Sequence, residues 1–479
     1  MTADSLIALL PLLTVTMASV VVMLSAALWP ISRWPFGLTV AGLLLTLLTL
    51  PVSLQTAPAL VTDLLVIDRY ALFFMGLIAA SALVVALLAH AYFSPQTRPE
   101  IYILLLTATL GAMLLVASRH MATFFLGLEI LSVSLFPMIA YRTEHALSLE
   151  AGIKYLMLSG VSSALLLFGM AVIYCQLGVL SFVSMSESQG QFWSDPLALA
   201  GTLLIVSALG FKLSLPPFHL WTPDVYQGAP APVTSFVATV SKGAVFALLL
   251  RFWLESRAYR SEEFLHIIAV LGGISVLAGN LLALLQDNLK RMLAYSSIAH
   301  MGYLLIAFVA ASHLQPGLVA ESTGFYLLAY MVTNLAALGV VSCLSSSERE
   351  LEQLDDYRSL IWIKPALGTV LAIALLSLAG IPLTMGFIGK FYVFANGIQS
   401  GLWLLVWITV IGSGLGIFYY LRVVLTLVRE PAATQSQEED NPPTLASWTL
   451  VSLALLLIAL GVFPQPVLDL VIAMVRTVT

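Results

Sequence analysis

The sequence predicts an all-α integral membrane protein of about fourteen transmembrane helices, and three observations predict it. Only 9% of the 479 residues are charged while 60% are hydrophobic, whereas a soluble domain carries about 25% charged residues. This chain therefore could not dress a water-facing surface. Apolar stretches long enough to cross a hydrocarbon core about 30 Å thick, which takes about 20 helical residues, recur from one end to the other. They are far longer than barrel strands, and a backbone in lipid must satisfy its own hydrogen bonds, so the spans are expected to be helices.

In chain order the first span covers 6–29. Asp4 precedes it without any Lys or Arg, unlike a cleavable signal with its basic start and core of about 7 to 15 residues, so this run is expected to stay in the mature protein. The spans that follow are 36–55, 70–93, 101–118, 121–141, 150–175, 197–218, 231–254, 264–286, 292–311, 317–345, 364–397, 401–428 and 445–475. Connections are short. The longest polar ones are Ser181–Asp195, Ser345–Ile363 and Arg429–Pro443, which leaves no room for an extramembrane domain.

The seventh span carries Gly210-Phe211-Lys212-Leu213-Ser214-Leu215-Pro216-Pro217-Phe218-His219, and the twelfth carries Gly380-Ile381-Pro382 before Gly389-Lys390. Proline removes a backbone donor and clashes with the preceding turn, so both helices are expected to be broken. Broken spans at matching places in two halves point to a repeat built around a transport site. Lys212 and Lys390 lie 178 residues and five spans apart. An odd number of helices per unit makes the two five-helix units inverted in the membrane. The resulting division is N-terminal helices 1 to 3 in 1–100, a first unit in 101–260, a second in 261–430, and a loop with helix 14 in 431–479.

Six Lys and fourteen Arg oppose 25 acids for a net charge of −5, with no basic tract dense enough to track a phosphate backbone, which excludes nucleic-acid binding. Cys175 and Cys343 are too few for an iron–sulfur cluster and show no metal-ligand spacing. Redox chemistry must therefore lie outside this chain, and no cofactor or metal is expected in it. Counting Lys and Arg in alternate loops puts Arg33, Arg98, Arg142, Lys290, Arg291, Arg349, Arg358, Lys364 and Arg429 on one side, against Arg69, Arg119, Arg257, Arg260 and Arg476 on the other. The bias places the odd-numbered loops in the cytoplasm and both termini outside.

Against this apolar background, ionisable residues deep in spans need an explanation, since each costs about 2.5–3.5 kcal/mol on insertion scales. Lys242 lies eleven residues into its span, about 16 Å deep, too far to snorkel. Glu129, eight residues into the fifth span, needs a cation or a proton, and Lys212 beside the seventh-span break is its natural partner. Lys390 stands beyond the twelfth-span break. Lys154, His219 and His300 carry weaker signals: Lys154 is close enough to its span end to snorkel, and lone histidines are more often packing. Burial disfavours an ammonium ion and a nearby carboxylate favours it. A row of such groups linked by hydrated Ser, Thr, His and Tyr side chains can pass protons stepwise, and suits protons or small cations better than larger solutes. By contrast, Gly412-Ser413-Gly414-Leu415-Gly416 reads as helix packing rather than a dinucleotide loop, Glu438-Glu439-Asp440 as a solvated tip, and Arg422 as a snorkelling side chain.

The segment Lys212-Leu213-Ser214-Leu215-Pro216-Pro217-Phe218-His219-Leu220-Trp221-Thr222-Pro223-Asp224-Val225-Tyr226-Gln227-Gly228-Ala229-Pro230 resembles the antiporter-like membrane subunits of respiratory complex I. So do Lys290-Arg291-Met292-Leu293-Ala294-Tyr295-Ser296-Ser297-Ile298 and Gly386-Phe387-Ile388-Gly389-Lys390-Phe391. The resemblance runs from the first span to the last. It implies Glu129 pairing with and modulating Lys212, Lys242 as central proton relay, Lys390 as terminal carrier, and Lys154, His219 and His300 on a hydrated path. It further implies neighbouring membrane-arm subunits, especially subunit M and small subunit K, in a bacterial inner membrane. NADH, FMN, iron–sulfur clusters and a quinone, expected to be ubiquinone, would lie in partner subunits. The family's subunit M has glutamate where Lys390 stands, and its largest antiporter-like subunit has an extra carboxy-terminal helix that this chain is expected to lack. Two rival readings are a subunit of a multi-subunit sodium/proton antiporter, whose members typically continue with Leu-Pro-Asp-Ala rather than Thr-Pro-Asp-Val-Tyr, and a passive scaffold whose charges only lock helices.

Overall fold

The computed structural model describes residues 3–28, 34–93, 99–187, 195–314, 316–430 and 445–475. The loop residues Arg33 and Arg98, the terminal Arg476 and the acidic run 438–440 lie outside that description. Thirteen of the described helices are long and apolar enough to cross a membrane, and a fourteenth crossing is made by two short helices in tandem.

The first span divides into α1 (Ala3–Ala8) and α2 (Leu10–Leu28), followed by α3 (Trp34–Leu54). A small antiparallel hairpin, β1 (Ala59–Thr62) against β2 (Leu65–Ile67), then precedes α4 (Arg69–Phe93). It is the one sheet among the described residues, and its Leu65 also bridges to Ser118. Two successive sets of five crossings follow. The first holds α5 (Glu100–Ala117), α6 (Met121–Ile139), α7 (Ala146–Leu177), the broken α9 (Pro196–Leu213) and α10 (Trp221–Gly228), and α11 (Ala231–Ser256), with short α8 (Phe182–Glu187) in between. The second holds α12 (Glu262–Leu284), α13 (Leu289–Ser312), α14 (Pro316–Leu344), the broken α15 (Pro365–Ala379) and α16 (Met385–Gln399), and α17 (Trp403–Val428). Helices α18 (Leu445–Val462) and α19 (Gln465–Val475) complete the chain.

Helix ends follow their capping residues. Asp195 accepts from the amides of Leu197 and Ala198 with Pro196 in the first turn, and Asn288 accepts from the amide of Arg291, each satisfying donors that a helix start leaves free. Gly178 ends α7 at φ 68°, a left-handed conformation that glycine reaches without strain. The expected breaks are present: Ser214 turns left-handed at φ 63° after α9, and Gly380 does so at φ 81° after α15. A third interruption had no clear sequence signal. Residues Val237–Ser241 of α11 form a π-helical turn immediately before Lys242.

The membrane-crossing stretches of α11 and α13 are buried, and α2, α3 and α18 are largely exposed. In the glycine-rich segment of α17, a Cβ on Gly412 would come within 2.3 Å of Val276 on α12, so close helix packing is what this segment does. Arg422, further along, reaches the Gln286 carbonyl and lies 3.6 Å from Asp287 at the end of α12.

Candidate functional site

Four lysines are 4% exposed or less; Lys290 lies in an ion cluster at one face of the bundle, and the other three, Lys212, Lys242 and Lys390, lie between the faces. All three sit where regular helix hydrogen bonding is interrupted. Lys212 occupies the last turn of α9, Lys242 follows the π turn of α11, and the Lys390 ammonium meets the end of α15. A helix C-terminus carries unsatisfied carbonyls and partial negative charge, which favours a cation there.

The Lys212 ammonium donates to the hydroxyls of Ser132 on α6 and Ser159 on α7, both at 2.6 Å, and lies over the rings of Tyr155 and Phe211. Glu129 stands one turn before Ser132 and receives a hydrogen bond from Ser163, one turn after Ser159. The expected direct Glu129–Lys212 ion pair is absent among the described residues; serines on two helices stand between them, and Glu129 is half-buried. The carboxylate is thus placed near the lysine without touching it.

Lys242 donates to Ser297 of α13 at 2.6 Å and lies over the Tyr226 ring. Ser297 also meets the hydroxyls of Tyr226 (3.3 Å) and Tyr330 (2.6 Å). One turn further along α13, the His300 ring contacts Tyr326 (3.0 Å) and Tyr420 (3.3 Å), and Tyr420 also bonds Ser296. Lys390 donates to the Ala379 carbonyl at 3.0 Å, reaches Ser413 at 3.5 Å and lies over the Tyr303 ring. Its methylenes rest on Gly380, where a Cβ would come within 2.7 Å of Lys390 Cδ. Serine, tyrosine and histidine can each donate and accept, which is what stepwise proton transfer requires.

Of the weaker candidates, His300 joins this interior row while two do not. Lys154 is half-exposed and pairs with Glu150 (2.7 Å) and Asp224 (2.6 Å) at one face of the bundle. His219 is half-buried in the loop between α9 and α10, with Nδ1 lacking a hydrogen-bond partner among the described residues.

Sequence reasoning missed the buried ion clusters at the two faces. At one, Glu350 accepts from Lys290 (2.8 Å), Arg142 (3.2 Å), Tyr92 (2.7 Å) and the Ala231 amide (2.9 Å). Lys290 also caps the Gln227 and Ala229 carbonyls at the end of α10, and Arg291 pairs with Asp224. At the other, the fully buried Arg251 binds Asp68 through two nitrogens, at 2.8 and 3.0 Å, and Glu255 at 3.1 Å, while Arg119 also reaches Glu255. Arg251 inside an apolar span was a readable signal. Lys290 and Glu350 were not, because both stand in polar sequence. Loop cations assigned to one side by alternate counting, Arg142, Lys290 and Arg291, do meet at one face.

A family model described as NADH:quinone oxidoreductase/Mrp antiporter, TM, matches residues 118–416. NADH-quinone oxidoreductase subunit N of Methylococcus capsulatus is 57% identical over 471 residues, spanning 98% of this chain and 95% of the relative. A chain in the structure of respiratory complex I from Thermus thermophilus with bound aureothin superposes with a TM-score of 0.82 at 33% identity, covering 96% of this chain and 98% of that one. A chain of the Mrp complex from a Dietzia species superposes with a TM-score of 0.86 at 18% identity, over 100% of this chain and 98% of that one, a likeness of fold. With these matches spanning its crossings and its lysine sites, the chain belongs to the NADH:quinone oxidoreductase/Mrp antiporter transmembrane family and stands among its subunit N members.

Proposed function

We propose that this chain is a proton-translocating membrane subunit of an NADH:quinone oxidoreductase, passing protons along Lys212, Lys242, His300 and Lys390. The observation that carries the reading is that three interior lysines, each at a helix interruption, are seated on hydroxyls or a carbonyl, with no ion pair among the described residues. An ammonium so placed can release and regain its proton without breaking a salt bridge. Protons cross between the hydrogen-bonded islands through water bound to the Ser, Tyr and His groups.

In this reading the chain holds no redox centre; NADH, FMN, iron–sulfur clusters and ubiquinone belong to partner subunits. Charge movement there changes the field at Glu129, which biases Lys212 across the intervening serines. Subunit M and small subunit K are the proposed neighbours, in the bacterial inner membrane, with both termini on the periplasmic side. Proton pumping and NADH oxidation, measured in membranes carrying Lys242→Ala with assembly checked on a native gel, test the reading. Pumping should fall by an order of magnitude or more, about the factor one well-placed proton-transfer group supplies. Normal pumping by an assembled complex would refute the relay and favour a passive scaffold.

A further inference from the structure

The contacts around Lys242 have a direction. Tyr330 Oη donates its single proton to the Ala238 carbonyl at 2.9 Å, a carbonyl within the π turn Val237–Ser241. In the 2.6 Å contact between Ser297 and Tyr330, the serine must therefore be the donor. Tyr226 donates to Ser297 at 3.3 Å and Lys242 donates to it at 2.6 Å. A hydroxyl has one proton and two lone pairs, so Ser297 is fully committed: it gives its proton to Tyr330 and accepts from Lys242 and Tyr226. It faces Lys242 purely as an acceptor, the arrangement that matches an ammonium. A neutral amine still has N–H groups for Ser297 but also carries a lone pair that needs a donor, and Ser297 can donate to it only if Tyr330 lets go of Ala238 and turns its own proton. Every member of this node is essentially inaccessible, at 1% exposure or less.

We propose that Tyr330 is a positioning residue for the Lys242 relay: anchored on the π turn, it fixes which way the Ser297 proton points and so which protonation state of Lys242 the node receives. The mechanistic consequence is a two-position element. With Tyr330 on Ala238 the node holds a proton on Lys242; with its hydroxyl turned to Ser297 the node accommodates the free amine. The π turn places the Ala238 carbonyl and the Lys242 side chain on the same node, which a regular helix, with its 3.6-residue turn, would set at a different angular offset. This inference rests on the relay reading above and refines its central step.

The test compares Tyr330→Phe, Ser297→Ala, Ser297→Thr and the double variant Tyr330→Phe/Ser297→Ala in assembled complex, with Lys242→Ala alongside, each measured as protons pumped per NADH oxidised. Phenylalanine keeps the ring and removes one hydroxyl, so packing is preserved. Tyr330→Phe and Ser297→Ala should each lower the ratio about tenfold, the factor equivalent to one hydrogen bond to a charged group. Ser297→Thr should retain pumping, and the double variant should match Ser297→Ala alone because Tyr330 acts only through that serine. Full pumping by Tyr330→Phe, or additive losses in the double variant, overturns the positioning role while a deficient Lys242→Ala leaves the relay standing. Normal pumping by Lys242→Ala instead removes the relay itself. Should Tyr330→Phe fail to assemble, the serine pair carries the test, since loss in Thr equal to that in Ala contradicts the proposal.

Discussion

Replacing Glu350 by glutamine should unseat one face of the bundle. The side chain is 2% exposed, Lys290 0% and Arg142 8%, so solvent screening does little to soften the loss. One carboxylate oxygen accepts from Tyr92 and the Ala231 amide, and the other from Lys290 and Arg142. Four donors converge on one group. A glutamine has a single acceptor oxygen, so its NH2 must face either two cations or a backbone N–H that cannot reverse its role. Removing one partner of a buried pair costs about 3–5 kcal/mol, against a total of about 5–15 kcal/mol for a typical fold. The loss should appear as a lower melting temperature of the purified complex and a smaller assembled fraction on a native gel. A double-mutant cycle with Lys290→Met should recover at least about 1.5 kcal/mol, because one stranded cation is then removed. If Glu350→Gln melts within about 0.5 kcal/mol of wild type, or the cycle shows no coupling, the buried cluster is not what holds this face together.

Two glycine substitutions separate backbone demands from packing. Gly380→Ala places a side chain at φ 81° and brings Cβ within 2.7 Å of Lys390 Cδ; the left-handed conformation costs about 1–2 kcal/mol, and Lys390 must leave the Ala379 carbonyl. Assembled complex with pumping reduced several-fold is expected in a vesicle assay, and an unchanged rate would count against the seat of Lys390 at the helix break. Gly412→Ala would meet Val276 at 2.3 Å and the Tyr303 hydroxyl at 2.8 Å, whereas Gly414→Ala meets nothing within 4 Å. Overpacking costs about 1–3 kcal/mol, so thermal melts should show the first variant destabilised and the second unchanged, and equal melts would contradict close packing of α12 on α17.

The fold was legible because bilayer crossing writes itself in composition and proline punctuation. Pro216-Pro217 and Gly380-Ile381-Pro382 marked the two breaks, and Ser214 and Gly380 take the left-handed turns there. The hairpin Ala59–Ile67 was not legible, since three or four β-branched and apolar residues between spans look like any short connection. The π turn before Lys242 escaped as well, because the tyrosine that meets its Ala238 carbonyl, Tyr330, stands 92 positions away. The interior position of Lys212, Lys242 and Lys390 was recoverable, because the cost of burying a charge singled them out. Their partners were not: Ser132, Ser159 and Ser297 are ordinary small residues until folding places them under an ammonium, and depth alone did not keep Lys154 from an exposed salt bridge to Asp224.

Partner chemistry sorts the interior cations into two classes that depth does not distinguish. Arg251 and Lys290 are as buried as Lys242, yet each touches carboxylates, while Lys212, Lys242 and Lys390 touch hydroxyls, carbonyls and ring faces. At about 4 Å and an effective dielectric near 20, a carboxylate stabilises an ammonium by about 4 kcal/mol, close to three powers of ten in protonation equilibrium. A neutral hydrogen bond contributes about 1 kcal/mol. The first class fastens helices through ion pairs; the second has only hydroxyl, carbonyl and ring partners, so a change of field meets no ion pair there. In the proposed relay Glu129, held by Ser163 while Lys212 bonds Ser132 and Ser159, supplies such a field without touching the lysine. Bringing a carboxylate into contact should therefore stop the relay as surely as removing the lysine: Ser132→Asp, which moves an acid onto Lys212, is expected to assemble and lose pumping, and a variant that pumps normally would show that the hydroxyl seats have no bearing on proton release.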